Sequence, residues 1–161
     1  MPTLVPMTET QYQAYVEDAI PGYAADKVAS GQWSADEALD LSRKSLEALL
    51  PKGLSTPDNH LFTVRDAEGS PVGMLWIAAQ DRAGERIAYI YDVRIEAGCQ
   101  RRGHATRAFL ALEDEARILG LSGIALHVFG HNTGAQALYS KLGYRATNIN
   151  MFKPVSPSGS R

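Results

Sequence analysis

The amino-acid sequence predicts a mixed α/β fold, and three observations carry that prediction. Helix-compatible segments with capping signals come first, before residue 53. Runs dense in β-branched and aromatic residues follow between short polar turns, as an antiparallel meander up to Ile95. Beyond Ile95, helix-period and strand-period segments alternate around the strand over 87–95, which is the signature of a mixed sheet flanked by helices. At 161 residues the chain is long enough for one domain to bury a core, and no repeat or low-complexity block divides it. The expected organisation is one domain over residues 1–153 and a loose Ser/Gly/Pro tail over 154–161.

Taken in order, Leu4-Val5-Pro6-Met7 reads as a short strand, placed at an edge by Pro6. Thr8-Glu9-Thr10-Gln11 fits a capping box, with Thr8 as N-cap and Gln11 at N3. A helix follows through Tyr12, Tyr15, Val16 and Ala19. Pro21-Gly22 would end it, yet residues 23–29 are again helix-compatible, so a kinked or restarted helix reaching Ser30 is expected. Ser34-Ala35-Asp36-Glu37 reads as a second capping box, opening a helix through Ala38, Leu41, Leu46, Leu49 and Leu50 that Pro51-Lys52-Gly53 stops.

Strands over 60–65 and 72–79 flank the turn Asp66-Ala67-Glu68-Gly69 as a hairpin, and residues 80–85 read as a polar turn into the central strand. Ala105, Ala108, Phe109, Leu112, Ala116 and Leu119 then recur at helical spacing, and Gly120 closes that helix in the left-handed region. Residues 123–129 read as a strand. Asn132 caps a short helix ending at Leu142-Gly143, and 145–153 reads as a last strand.

The totals bound the function. A net charge of −2 and a pI near 6.1 give no reason to expect nucleic acid or an acidic membrane surface as partner. No apolar run approaches the roughly 20 residues of a membrane span, and no signal peptide is visible, so the cytoplasm is the expected location. The single cysteine, Cys99, excludes an intrachain disulfide and any multi-cysteine metal site. His127 and His131 lack helical context for their four-residue spacing, so they read as satisfied strand or loop residues, and no metal site is expected. Oligomeric state is not legible in the sequence, and a homodimer is left open.

The chemistry gathers at Gln100-Arg101-Arg102-Gly103-His104-Ala105, where strand passes to helix. A helix N-terminus aims unpaired N–H groups and partial positive charge outward, which suits a pyrophosphate. Gly103 admits a ligand close to the backbone, and Arg101 and Arg102 add charge that suits phosphate. Read alone, such a loop is more often only a solvated cap, and its place between strand and helix is what favours a ligand.

The Gln-Arg-Arg-Gly-His-Ala run, following Tyr91-Asp92-Val93-Arg94-Ile95, resembles the Q/R-x-x-G-x-G/A acyl-CoA signature of the GNAT N-acetyltransferases. The later Asn132-Thr133-Gly134-Ala135-Gln136-Ala137-Leu138-Tyr139-Ser140-Lys141-Leu142-Gly143-Tyr144 resembles that family's closing segment. The likeness covers residues 62–153 well and the N-terminal third loosely.

The resemblance implies the GNAT fold, a mixed, mostly antiparallel sheet whose central strands splay to admit a pantetheine arm. It implies acetyl-CoA as co-substrate and a small-molecule or peptide amine as acceptor, with transfer direct, through a ternary complex. It implies that Gln100, Arg101, Arg102, Gly103, His104, Ala105 and Thr106 hold the cofactor, mainly through backbone N–H groups. Val93, Arg94 and Ile95 would pair with pantetheine, and the neighbourhood of Asn132 would touch its arm.

Tyr139 falls at the general-acid position of the family. A phenol with pKa near 10 stays protonated at neutral pH and can donate to a developing thiolate. By spacing alone, Tyr139 reads first as a ring packing beside Ala135, Leu138 and Leu142, and only the motif context reverses that. The base departs from a common pattern of the family, because Tyr89 stands where some members carry a glutamate.

Asp92 is the nearest carboxylate on the strand, with Glu96 just beyond. Simple alternation puts Asp92 on the face opposite Tyr89, Tyr91 and Val93. Asp92 as base, a merely solvated or salt-bridged Asp92, and water relayed through Tyr89 or Tyr91 all stay open. The alternative class is a non-catalytic acyl-CoA-binding sensor. An unrelated nucleotide binder ranks last, since neither a P-loop nor a Rossmann glycine triplet occurs.

Overall fold

The structure, a computed structural model, describes residues 2–157. Its elements are β1 (Leu4–Pro6), α1 (Glu9–Ala29), α2 (Ala38–Leu49), β2 (Asn59–Arg65), β3 (Pro71–Arg82), β4 (Glu85–Ile95), α3 (His104–Ile118), β5 (Ile124–Leu126) and α4 (Thr133–Lys141). Single 3-10 turns lie at Gly53–Ser55 and Ala97–Cys99. The five strands make one sheet in chain order, antiparallel from β1 to β4 and parallel between β4 and β5.

One face of the sheet, with Phe62, Val64, Leu75, Ile77 and Ile90, packs on Phe109 and Leu112 of α3, with Leu138 and Leu142 at its margin. The other face, with Leu61, Met74 and Trp76, packs on Tyr12, Tyr15 and Ala19 of α1. The sheet is therefore the middle of three layers.

The Thr8 capping box forms as expected: Thr8 Oγ1 accepts from the Gln11 amide at 3.2 Å, and the Thr8 amide donates to Gln11 Oε1 at 2.9 Å. α1 runs unbroken through Pro21, neither stopped nor restarted. An interior proline costs a helix about 3 kcal/mol, but Tyr15 and Ala19 before it and Ala24 after it are all buried. Ser42 of α2, almost fully buried, donates to the Ile20 carbonyl at 2.7 Å and clamps the two helices beside the proline.

Four sequence expectations are corrected. Residues 34–37 close as a turn, with the Glu37 amide on the Ser34 carbonyl, so no second capping box forms and α2 begins at Ala38. Gln80 and Asp81 pair with Ile87 and Arg86 within the ladder, and the turn shrinks to Ala83 and Gly84. Both of those have positive φ (51° and 84°), the two-residue geometry that continues the strands' twist. The strand expected over 123–129 is only Ile124–Leu126. Residues 145–153 form no strand, because β-propensity without a neighbouring ladder does not make one. Of the expected tail, 154–157 carry no regular element, and 158–161 lie outside the described residues.

A β-bulge sits in the middle of β4. Trp76 of β3 faces Asp92 while Ile77 faces Ile90, so Tyr91 is the extra residue. Three residues beyond Asp92, Gly73 faces Ile95 so closely that a Cβ there would lie 2.1 Å from the Arg94 carbonyl oxygen. Only glycine fits that position.

Candidate active site

β4 and β5 stay together only where Ala88, Tyr89 and Ile90 face Ile124, Ala125 and Leu126. β4 then continues to Ile95 with no β5 residue beside it, so the sheet opens on the side of α3 and α4. The opening is a cleft of about 360 Å³. Val93 and Ile95 form one wall, Cys99, Gln100, Arg101, His104 and Ala105 the rim, and Phe109, Ala135, Leu138 and Tyr139 the helical wall.

The rim is shaped by its backbone. Arg101 at φ 64° and Gly103 at φ 79° are both left-handed, and Gly103 is the N-cap of α3. This conformation folds the turn tightly against the helix N-terminus, where amide groups point outward. The Gln100 side chain ties the turn to β4, donating through Nε2 to the Ile95 carbonyl at 3.1 Å. A Cβ on Gly103 would meet no atom within 4 Å, so the space above it is open to a ligand. An elongated anionic thioester fits these residues: N–H donors and arginine at the mouth, apolar walls within.

The expected cofactor residues fall into two groups. Val93, Ile95, Gln100, Arg101, His104 and Ala105 line the cleft. Arg102 and Gly103 are exposed at its mouth, and Thr106 is half-buried outside the lining. Asn132 caps α4, its Oδ1 accepting from the Ala135 amide at 3.3 Å, and lies outside the lining. The Arg94 side chain is turned to the other face: Nε meets Asp92 Oδ2 at 3.0 Å and the guanidinium lies over the Tyr15 ring.

Cys99, Phe109, Gly134, Ala135 and Leu138 were not foreseen. Phe109 stands one helical turn after Ala105, and Ala135 and Leu138 share a helix face with Tyr139, so those three were legible from spacing.

Tyr139 is half-buried, edge-on to Phe109 at 5.4 Å between ring centroids and tilted against Tyr144. Burial raises its phenol above the ordinary value, and the Asp92 charge adds to that. It is therefore protonated at neutral pH.

The bulge changes the expected placement of Asp92. Ala88, Ile90, Val93 and Ile95 all belong to the α3 side of the sheet, so alternation breaks between Ile90 and Val93. Asp92 consequently shares the α1 face with Tyr91 and Arg94, and Tyr15 of α1 donates its phenol to Asp92 Oδ2 at 2.6 Å. Both donors recorded for Asp92 meet Oδ2, which leaves Oδ1 without a partner among the described residues. Tyr89 is half-buried against Tyr91, ring centroids 4.9 Å apart, and its phenol is raised by burial.

Comparison with known proteins decides the family. The Acetyltransferase (GNAT) family model matches residues 24–144, three quarters of the chain. The chain belongs to the GNAT acetyltransferase family. The uncharacterized N-acetyltransferase YycN of Bacillus subtilis (strain 168) is 36% identical over 152 residues, 94% of this chain and 97% of that protein. A second uncharacterized N-acetyltransferase of that organism, YdgE, is 33% identical over 95% of this chain and 98% of its own length. The YycN crystal structure superposes with a TM-score of 0.91, covering 95% of this chain and 98% of that one. A solved structure from Pyrococcus furiosus, 23% identical at TM-score 0.66, shares the fold over 95% of this chain and 99% of its own.

In GNAT terms, the resemblance seen in the two motifs is a true relationship, and this chain is an acyltransferase of that family with a five-stranded mixed sheet between helices. Among the described residues, no helix is long and apolar enough to cross a membrane and no three His, Cys, Asp or Glu side chains gather to hold a metal. Burial first, and the Lys27 cation second, lower the pKa of His127. His131 lies 3.8 Å from Asp26, and the Phe129 ring meets both His127 and His131.

Proposed function

We propose that this GNAT protein transfers the acetyl group of acetyl-CoA directly to a primary amine, of a small molecule or a peptide, in a ternary complex. The observation that supports this most is the meeting, in one cleft, of the left-handed turn at Arg101–Gly103, the unpaired end of β4 and the protonated phenol of Tyr139. Acetyl-CoA supplies the activated thioester. The amides at the start of α3 hold its phosphates, and the backbone of Val93, Arg94 and Ile95 orients the pantetheine chain.

Amine attack needs a neutral nitrogen, whereas a primary ammonium has a pKa of about 10.4. Asp92, through its open Oδ1, is the carboxylate placed to accept that proton, with Tyr15 and Arg94 holding Oδ2 fixed. Tyr89, on the same face, carries a hydroxyl that suits a water relay to it. As the new C–N bond forms and the C–S bond breaks, Tyr139 donates its proton to the leaving sulfur.

The acceptor would approach from the α1 face, where Tyr15 holds Asp92 and Tyr89 and Tyr91 pack edge to face nearby on the same strand, a setting that favours a cationic amine.

The test is CoA release from acetyl-CoA against lysine peptides, free N-terminal peptides, polyamines, amino acids and aminoglycosides, run with wild type and Tyr139→Phe. Release with one amine class, reduced about 10²- to 10³-fold in kcat by Tyr139→Phe with acetyl-CoA binding unchanged, is the expected result. Binding of acetyl-CoA with no release for any amine would favour the sensor class instead.

A further inference from the structure

Asp92 and Arg94 stand on the same face of β4, and each keeps one side of its charged head open. Their inner sides are joined, Arg94 Nε donating to Asp92 Oδ2 at 3.0 Å. Among the described residues, neither Oδ1 of Asp92 nor Nη1 or Nη2 of Arg94 has a hydrogen-bond partner. Both heads are reachable from solvent, the side chains being 23% and 37% exposed. An arginine that serves only a neighbouring carboxylate grips it best with two parallel N–H groups. Arg94 spends one nitrogen on Asp92 and keeps its terminal pair.

The helix opposite makes room for that pair. Gly22 lies inside α1, where glycine is a weak helix former. A Cβ built on it would have the guanidinium as its three nearest atoms: Nη2 at 3.2 Å, Nη1 at 3.5 Å and Cζ at 3.6 Å. The space an alanine methyl would fill is therefore at contact distance from both terminal nitrogens. Tyr15 fixes the two heads from below, its phenol on Asp92 Oδ2 at 2.6 Å and its ring centroid 5.6 Å from the guanidinium carbon. A free carboxylate oxygen and a free pair of guanidinium nitrogens thus lie side by side in a held geometry.

The complement of such a pair is a molecule whose ammonium and carboxylate are equally close together. We propose that the acceptor is a free α-amino acid, its ammonium on Asp92 Oδ1 and its carboxylate on Arg94 Nη1 and Nη2 over Gly22; this rests on the acetyl transfer proposed for the cleft. A polyamine or a lysine side chain satisfies Asp92 and sets no anion against the arginine. A peptide N-terminus offers a neutral carbonyl where the guanidinium favours a carboxylate. In the transfer the N–C bond forms and the C–S bond breaks; of the two protons the ammonium gives up, one ends on the thiol and one in solvent. The N-acetyl product keeps its carboxylate but has lost the cation that held it to Asp92, which favours its release.

The test measures CoA release with each standard primary α-amino acid, its α-carboxamide, spermidine and a lysine peptide. At least one amino acid should exceed its own carboxamide, and both cations, by about 10²-fold or more in kcat/KM. In Arg94→Gln the acid-to-amide ratio should fall to within about threefold of one, with the KM for acetyl-CoA unchanged. A residue that merely steadied Asp92 would, when replaced, slow both acceptors alike and leave the ratio intact. Gly22→Ala, which favours the helix, should lower the ratio about tenfold by raising the KM for the acid. Calorimetric titration of the same acid and amide into the CoA-bound protein reads the site without the reaction, and only the acid should bind.

Spermidine, the lysine peptide or a carboxamide turned over as fast as any amino acid overturns the proposal and leaves acetyl transfer standing. A ratio that survives Arg94→Gln overturns it as well. If no amine releases CoA while the acid still binds through Arg94, the transfer reading fails and the amino-acid site stands; if no acid binds either, both fall.

Discussion

Asp92 is the residue at which charge, bulge and helix meet. Its Oδ2 is held by a phenol at 2.6 Å and a guanidinium at 3.0 Å, and its Oδ1 has no partner among the described residues. On the proposed mechanism Asp92→Asn keeps the shape and removes the proton acceptor, so kcat should fall about 10²- to 10³-fold while the KM for acetyl-CoA is unchanged. A kcat within threefold of wild type would return the proton to solvent water.

At Gly103 the constraint is conformational first. With φ at 79°, any side chain strains the backbone by about 1–2 kcal/mol, and a β-branched one also fills the space above the turn. Gly103→Val should weaken acetyl-CoA binding about tenfold or more in a calorimetric titration, and wild-type affinity would remove the turn from the site. Tyr139 has the opposite character: its raised phenol places any alkaline fall in kcat that it causes above pH 10.

At the scale of the element, the legibility of the sequence divides along local and non-local lines. The Thr8 capping box, the Asn132 cap and the left-handed Gly120 and Gly143 are set by neighbours three or four residues away, and all four stand where the sequence put them. The face of Asp92 was misread because alternation assumes an unbroken pleat. The extra residue at Tyr91 exists only as a register between β3 and β4.

Pro21 was ambiguous because its cost is local, whereas the burial of Tyr15, Ala19 and Ala24 that overrides it is tertiary. The strand expected over 145–153 does not form, because propensity is read along the chain whereas a ladder needs a neighbouring strand. Within the cleft, the rim was written in a motif and the apolar wall in helical spacing.

Gly73 carries the prediction that belongs here. Its Cβ would overlap the Arg94 carbonyl of the strand that forms the cleft wall, with backbone and not a flexible side chain in the way. Gly73→Ala should therefore cost at least about 2 kcal/mol in urea unfolding and lower acetyl-CoA affinity together. A stable variant with weakened binding alone would mean that β4 moves to accommodate the methyl group.

The whole molecule has a pH dependence set by its tyrosines. Burial raises the phenols of Tyr12, Tyr15, Tyr89, Tyr139 and Tyr144, with nearby carboxylates adding at Tyr12, Tyr15, Tyr139 and Tyr144. An unfolded tyrosine loses its proton near pH 10, whereas Tyr144 is pushed up to about 12 in the fold. Between those values the folded chain binds more protons than the unfolded chain, so unfolding free energy falls as pH rises. The stability these groups contribute is fully present below about pH 10 and is lost as pH climbs through the folded values.

Tm should hold between pH 8 and 9.5 and decline steadily from pH 10 to 12. Lysines also discharge in that range, so Tyr144→Phe isolates the phenol while keeping the ring against Phe109 and Tyr139. Its Tm should decline less steeply than wild type above pH 10 and match it below. Identical slopes would show that the Tyr144 hydroxyl titrates alike in both states, which would mean that water reaches it in the folded molecule.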